Sequence, residues 1–261
     1  MIEQMGMFGQ PQKIVSKVAH TGVIYETAGK AREYRELACN LYRGCSHGCT
    51  YCWASGVLRM ERATFDNPSP RPDILRKIEQ DARYFGSNRE SRQVLFCFTC
   101  DPYQPINDQY KLTRRAIEIC HRNGLNICIL SKAGLAATQD LDLLTAKDSF
   151  AVTLTFDNDA DSLKYEPAAG LPAQRIEGLR MAHAKGIPTW VSVEPVIIPE
   201  QSLHLIQMSS AFVDEFKIGK LNGMPEIEAG IDWRKFGREA VALCKSLGKK
   251  YYIKKDLAVY L

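Results

Sequence analysis

Three of the chain's nine cysteines lie within one short run, Cys45-Ser46-His47-Gly48-Cys49-Thr50-Tyr51-Cys52. Gly44 and Gly48 let the backbone turn sharply, so all three thiolates are expected to converge on one point. A structural zinc ion takes four protein ligands, and the fourth candidate at hand, His47, lies between the cysteines, where ring and thiolates compete for space. Three thiolates alone leave one position open, and in a [4Fe–4S] cluster that position is an iron free to bind something else. Zinc, with the chain as a non-enzymatic binding module, is the competing reading, and three unrelated core thiols the plainest one.

The elements that must hold this run show an alternating pattern. Apolar stretches suited to buried parallel strands occur at Leu37–Leu41, Val94–Phe98, Ile127–Leu130, Phe150–Phe156, Thr189–Val193 and Phe216–Ile218. Helical spacing fills the gaps over Leu112–Arg122, Gln174–Lys185 and Trp233–Leu247, with stops at Asn123-Gly124, Gly186 and Gly248. Six strands each followed by a helix or loop predict an α/β fold, a partial (β/α)6 TIM-like barrel. A doubly wound open sheet is the rival, but no Gly-x-Gly-x-x-Gly follows the first strand. Residues 1–36 read as an N-terminal extension with a hairpin or arm around Val15–Tyr25, residues 37–248 as the barrel, and residues 249–261 as a tail with a short strand at Lys249–Ile253.

Composition sets the wider bounds. The chain has 261 residues, 45% hydrophobic and 25% charged, values that exclude disordered and fibrous classes. No apolar run reaches the roughly 20 residues needed to span a bilayer, and the first residues lack a secretory pattern. An odd number of cysteines argues against a disulfide framework, so a reducing, cytoplasmic setting is expected. The net charge of +4 permits an anionic substrate without demanding nucleic acid.

Cys45-x₃-Cys49-x-Tyr51-Cys52 just after a first strand resembles the signature of the radical S-adenosylmethionine (SAM) enzymes. The resemblance implies a [4Fe–4S] cluster on the three cysteines, with the amino and carboxylate groups of SAM chelating the fourth iron. One electron then cleaves the sulfonium to a 5′-deoxyadenosyl radical, so a flavodoxin- or ferredoxin-type donor is implied as a partner. Tyr25-x₃-Gly29-x-Ala31-x-Glu33-Tyr34, Asn40 to Cys45, and Thr99-Cys100-Asp101-Pro102-Tyr103 resemble the spore photoproduct lyase-like branch. That likeness places Lys132 near the cofactor carboxylate, Thr153 or Thr155 by the ribose or amino group, and Tyr51 at the adenine. Thr99, Trp53 and Ser192 join Tyr51, Lys132 and Thr153 as the expected cofactor-binding residues. A lysine at the C-terminal mouth of a parallel strand suits a carboxylate on physical grounds too.

Two positions depart from the lyases. Trp53 stands where they carry a relay tyrosine, and Phe98 where they carry a hydrogen-donating cysteine. Strand alternation is expected to point Cys97 and Phe98 to opposite faces, leaving Cys100 as the better hydrogen donor. Asp101, Tyr103, Asp157, Glu194 and Lys220, all at strand ends, are expected to hold the substrate, although Glu194 has the plainer reading of a salt bridge to a lysine. The tail Lys249–Asp256 interleaves aromatics with lysines, which suits nucleic acid but more often marks a protected edge strand. Only Cys244 follows Cys128, so an auxiliary-cluster domain is not expected. The function read from all this is radical chemistry of the lyase type on a nucleobase-like small molecule, such as the deazaguanine queuine, or a DNA photoproduct. Modification of a peptide or other metabolite is the alternative.

Overall fold

Short strands, the central ones buried on both faces, form one sheet in the computed structural model, which describes residues 20–261. Its strands are β1 (Ile24–Glu26), β2 (Leu37–Cys39), β3 (Gln93–Phe96), β4 (Asn126–Ser131), β5 (Ser149–Thr153), β6 (Thr189–Val193), β7 (Glu215–Ile218) and β8 (Lys250–Ile253). Strands β2 to β8 pair in chain order, all parallel, and β1 lies antiparallel on β2. The sheet stays open between β1 and β8, which makes it a partial barrel of the expected α/β class. The tail strand read at Lys249–Ile253 is the seventh parallel strand. Of the arm read at Val15–Tyr25, the part before residue 20 lies outside the described residues.

The crossovers carry the helices α1 (Ile74–Ser87), α2 (Leu112–Arg122), α3 (Pro172–Ala184), α4 (Pro199–Ser209) and α5 (Trp233–Ser246). Helix α2 ends where Gly124 takes φ +80°, a left-handed stop that glycine adopts without penalty. Between β4 and β5 the link is only a 3-10 turn, Gly134–Thr138, which α3 packs against.

Alternation along the strands sorts the side chains. Leu37, Val94, Phe96, Ile127, Ile129, Phe150, Val191 and Phe216 face the helices in one large core. Ala38, Leu95, Cys128, Ala151 and Trp190 form a second cluster on the opposite, concave face. Small side chains there leave the barrel interior narrow, and Trp190 fills it. Arg35 and Lys217 sit against the Trp190 ring, 5.2 and 5.0 Å from its centroid.

Lys217 is buried, and its ammonium donates to the carbonyls of Glu33 (2.9 Å) and Tyr34 (2.8 Å). Burial, with the Arg35 charge adding to it, pushes its pKa down to about 8. The unfolded chain therefore binds this proton more tightly, and the penalty is complete below pH 8. It is relieved as the pH rises from about 8 towards the ordinary lysine value of 10.5. We predict that the melting temperature of wild type minus that of Lys217→Met is flat below pH 8 and increases above it. A difference that falls over that range would contradict this burial effect.

Candidate functional site

The cysteine run leaves β2 through a small hairpin, Tyr42–Arg43 paired with Ser69–Pro70, and then has no regular partner strand. Its backbone polar groups go instead to neighbouring loops. Cys45 N donates to Phe65 O (2.8 Å), Ser46 N to Gln104 Oε1 (3.0 Å) and Thr50 N to Tyr165 O (2.9 Å). Gly44 and Gly48 have φ +91° and +68°, and a Cβ at Gly44 would collide with the Phe65 carbonyl. Two glycines are thus required by the path of the loop.

Cys45, Cys49 and Cys52 are free thiols that open on one cavity of about 190 Å³. They line its wall without meeting at a point: among the described residues no three His, Cys, Asp or Glu side chains are placed to hold a single metal ion. His47 Nδ1 lies 3.1 Å from Ala168 O, and Nε2 faces Asp101 Oδ2 at 3.2 Å. A donor set of three spaced thiols fits a cluster in which each of three irons takes one thiolate. Burial pushes the Cys45 thiol well up and the Cys49 thiol up to about 11, so iron must displace a proton from each as it binds.

The wall opposite comes from the end of β3. That strand stops at Phe96, and the residues just beyond it, Cys97, Phe98, Thr99 and Cys100, line the cavity. The expected split of Cys97 and Phe98 is present: Cys97 packs in the helix-side core and Phe98 against the concave-face cluster. Asn40 Oδ1 pins the segment by accepting from the backbone N–H groups of Phe98 and Thr99, both at 2.8 Å. Asp101 lines the cavity as well, but its oxygens are taken. Oδ1 accepts from Tyr103 N (2.8 Å) and Ser131 Oγ (2.9 Å), and Oδ2 accepts from Lys132 N (2.7 Å). It ties loops together through both of its oxygens.

Beneath Tyr51 lies a carboxylate that the sequence reading missed. Glu166 is fully buried after the short helix Asp159–Tyr165, and its Oε1 accepts from Tyr51 Oη, Lys132 Nζ (2.7 Å) and Thr155 Oγ1 (3.1 Å). Arg175 on α3 takes Oε2. Burial works to raise the Glu166 pKa, but Lys132 and Arg175 hold it well below the usual carboxylate range. Lys132 is therefore not a solvated lysine: it also bonds the Tyr51 hydroxyl at 2.7 Å while lining the cavity. Thr153 lines the cavity, whereas Thr155 is held below it by Glu166.

A second buried pair closes the far end. Glu194 Oε2 accepts from Tyr34 Oη (2.8 Å) and from Lys254, whose Nζ also reaches Tyr34 Oη (2.6 Å) and Ser192 Oγ (3.2 Å). The salt-bridge reading of Glu194 is thus present in the structure, although the residue also faces the cavity. Burial pushes the Tyr34 hydroxyl up to about 12, so it stays a donor. Lys254, from the tail read as a half-buried, lysine-protected edge strand, is among the most buried residues. Lys220 faces the cavity while its ammonium bonds Glu228 at 2.6 Å.

Three expected residues lie elsewhere. Tyr103 is in the apolar core, because the chain has already turned inward after Asp101. Asp157 points away and pairs with His204 at 2.8 Å, and Ser192 lies under the cavity against Lys254. Neither Glu166 nor Lys254 carried a local motif. Only their sequence-distant partners reveal them.

A family model for the radical SAM superfamily matches residues 39–212. The chain is 27% identical over 213 residues to a protein of Pseudomonas phage M6 named radical SAM Nalpha-GlyT isomerase, covering 79% of this chain and 41% of that one. It is 28% identical over 188 residues to the uncharacterized protein ORF301 of Acidianus two-tailed virus, covering 67% of this chain and 61% of that one. It therefore spans only part of these relatives. Among solved structures, a spore photoproduct lyase mutant with bound AdoMet and dinucleoside spore photoproduct superposes with a TM-score of 0.69 at 14% identity, covering 90% of this chain and 80% of that one. SuiB of Streptococcus suis bound to S-adenosylmethionine gives 0.62 at 12%, covering 83% and 49%. These two likenesses show the fold.

The chain belongs to the radical SAM superfamily. Its cofactors are a [4Fe–4S] cluster and S-adenosylmethionine. No helix among the described residues is long and apolar enough to cross a membrane.

Replacing any one of Cys45, Cys49 and Cys52 by alanine is expected to abolish iron and sulfide retention after anaerobic reconstitution. Gly44→Ala, which removes no ligand, is expected to cost about 1–3 kcal/mol through its left-handed backbone and to lower bound iron. Full iron loading with an unchanged melting temperature would show that the turn tolerates a side chain.

Proposed function

We propose that the chain is a lyase that takes a hydrogen atom from a nucleobase-like substrate and breaks a bond within it. The observation that carries this reading is the aromatic wall beside the cluster thiols. Trp53, 44% exposed, lies against Phe98 with ring centroids 5.1 Å apart, and Tyr34 meets Phe98 at 5.5 Å. All three rings line the same cavity. Exposed π faces stack planar heterocycles regardless of their sequence context. The polar groups of Glu194, Lys220 and Asn222 share that cavity and can bond ring nitrogens and carbonyls.

When bound, cluster and SAM together supply a 5′-deoxyadenosyl radical, using an electron from a flavodoxin- or ferredoxin-type donor. Cys45, Cys49 and Cys52 hold the iron. Tyr51, Thr99, Lys132 and Thr153 seat the nucleoside and methionyl parts, with Trp53 at the rim between cofactor and substrate. Cys100, a free and partly exposed thiol in the same wall, returns a hydrogen atom to the product radical, which is downhill because S–H is weaker than an alkyl C–H. The thiyl radical left behind takes one electron from the same flavodoxin- or ferredoxin-type donor and one proton to restore the thiol. That thiol favours cleavage over the internal rearrangement suggested by the name of the phage relative. The free state of all nine cysteines is in keeping with a cytoplasmic enzyme.

With dithionite as reductant under anaerobic conditions, nucleobases or nucleosides are expected to stimulate 5′-deoxyadenosine formation above the substrate-free rate. In Cys100→Ala the stimulated cleavage is expected to persist while the yield of hydrogenated product falls. Absence of stimulation by any nucleobase, nucleoside or DNA photoproduct would overturn the substrate class. An unchanged product yield in the variant would overturn the role of Cys100.

A further inference from the structure

Glu166 cannot bind a substrate or a cofactor itself. Its Oε1 already accepts from Tyr51, Lys132 and Thr155, and its Oε2 from Arg175. A carboxylate with no exposed surface and both oxygens engaged is costly to bury, and must act through the groups it holds. Those groups come from separate parts of the chain: Tyr51 from the cysteine loop, Lys132 from the end of β4, Thr155 from beyond β5 and Arg175 from α3.

Two consequences follow from counting donors and charges. An ammonium has three N–H groups. Lys132 directs one to Tyr51 Oη and one to Glu166, both at 2.7 Å, and the remaining one is available to the cavity that Lys132 lines. Arg175 is buried, and its other N–H groups go to uncharged carbonyls, Gly170 O at 2.6 Å and Thr153 O at 3.0 Å. Two cations thus share one carboxylate, and the cluster carries an excess positive charge at the cavity wall. The next carboxylate, Asp101, bonds the Lys132 backbone N–H rather than its ammonium, and lies against His47.

We propose that Glu166 is a positioning residue that aims the free N–H of Lys132 at the carboxylate of S-adenosylmethionine, with Arg175 supplying the surplus charge that makes the seat anion-selective. This rests on the reading of Lys132 as the cofactor-carboxylate ligand. In Glu166→Gln the amide can keep its oxygen on Arg175 only by turning its NH₂ against the Lys132 ammonium, and Lys132 must move. Charge alone would give the opposite sign, because removing the anion leaves two cations facing the ligand and should tighten binding.

The test is anaerobic titration calorimetry of the cluster-loaded enzyme with SAM and with 5′-methylthioadenosine, which has no carboxylate. Glu166→Gln is expected to weaken SAM by about 10-fold, the scale seen when a partner behind a ligand is lost, and to weaken methylthioadenosine clearly less, through the Tyr51 tether alone. Lys132→Met should weaken SAM similarly, and the double variant should bind no worse than Lys132→Met alone. Tyr51→Phe, which keeps the buried ion pairs, should shift SAM affinity in the same direction by less, and serves if Glu166→Gln does not fold. Unchanged or tighter SAM binding in Glu166→Gln, a parallel loss of methylthioadenosine, or additive single effects would each overturn the assignment. No effect of Lys132→Met on SAM would instead sink the reading of Lys132, and with it this role for Glu166.

Discussion

An irregular loop can be buried only if each of its backbone polar groups finds a partner, and the cysteine loop depends on this constraint. It has no strand to pair with, so loops from distant parts of the chain satisfy it: Phe65 O, the Gln104 side chain and Tyr165 O. Tyr51 adds a side-chain tether to Glu166, and His47 another to Ala168 O. Three thiols therefore reach the cavity at fixed places along its wall. A loop held less completely would let them collapse onto one ion or drift apart, and the spacing that suits a multi-iron cluster would be lost.

Around that loop the partial barrel arranges two buried ion networks at opposite ends of one cavity. Lys132, Glu166 and Arg175 lie beneath the cluster side, and Tyr34, Glu194 and Lys254 close the other. Each joins side chains from sequence-distant elements, and each places a charged group whose position side-chain flexibility would otherwise blur. Between them stand aromatic rings and small polar groups. The barrel supplies rigidity at its strand ends, and the chemistry is set by what the loops bring there.

The fold was largely legible in the sequence because its signals are local. Buried parallel strands read as apolar runs, and Gly124, Gly186 and Gly248 mark helix stops that recur as left-handed residues in the structure. The cysteine motif was legible for the same reason, since its spacing lies within one loop. The misread residues all depend on how a strand ends. The inward turn after Asp101 takes Tyr103 into the core. Asp157 sits beyond the end of β5 at Thr153, where it turns to His204. Glu166 and Lys254 were invisible because nothing beside them in the chain distinguishes them from ordinary charged residues. Burial and partners far away in sequence give them their meaning, as they do for Asp101, whose oxygens tie loops together.

The central claim is that three protein thiolates leave one cluster iron for S-adenosylmethionine to chelate. The most direct measurement is the electron paramagnetic resonance spectrum of the dithionite-reduced cluster with and without the cofactor. A spectrum that changes on adding S-adenosylmethionine, and does not change on adding methylthioadenosine, is the expected result. A reduced cluster whose spectrum is indifferent to S-adenosylmethionine would contradict the account.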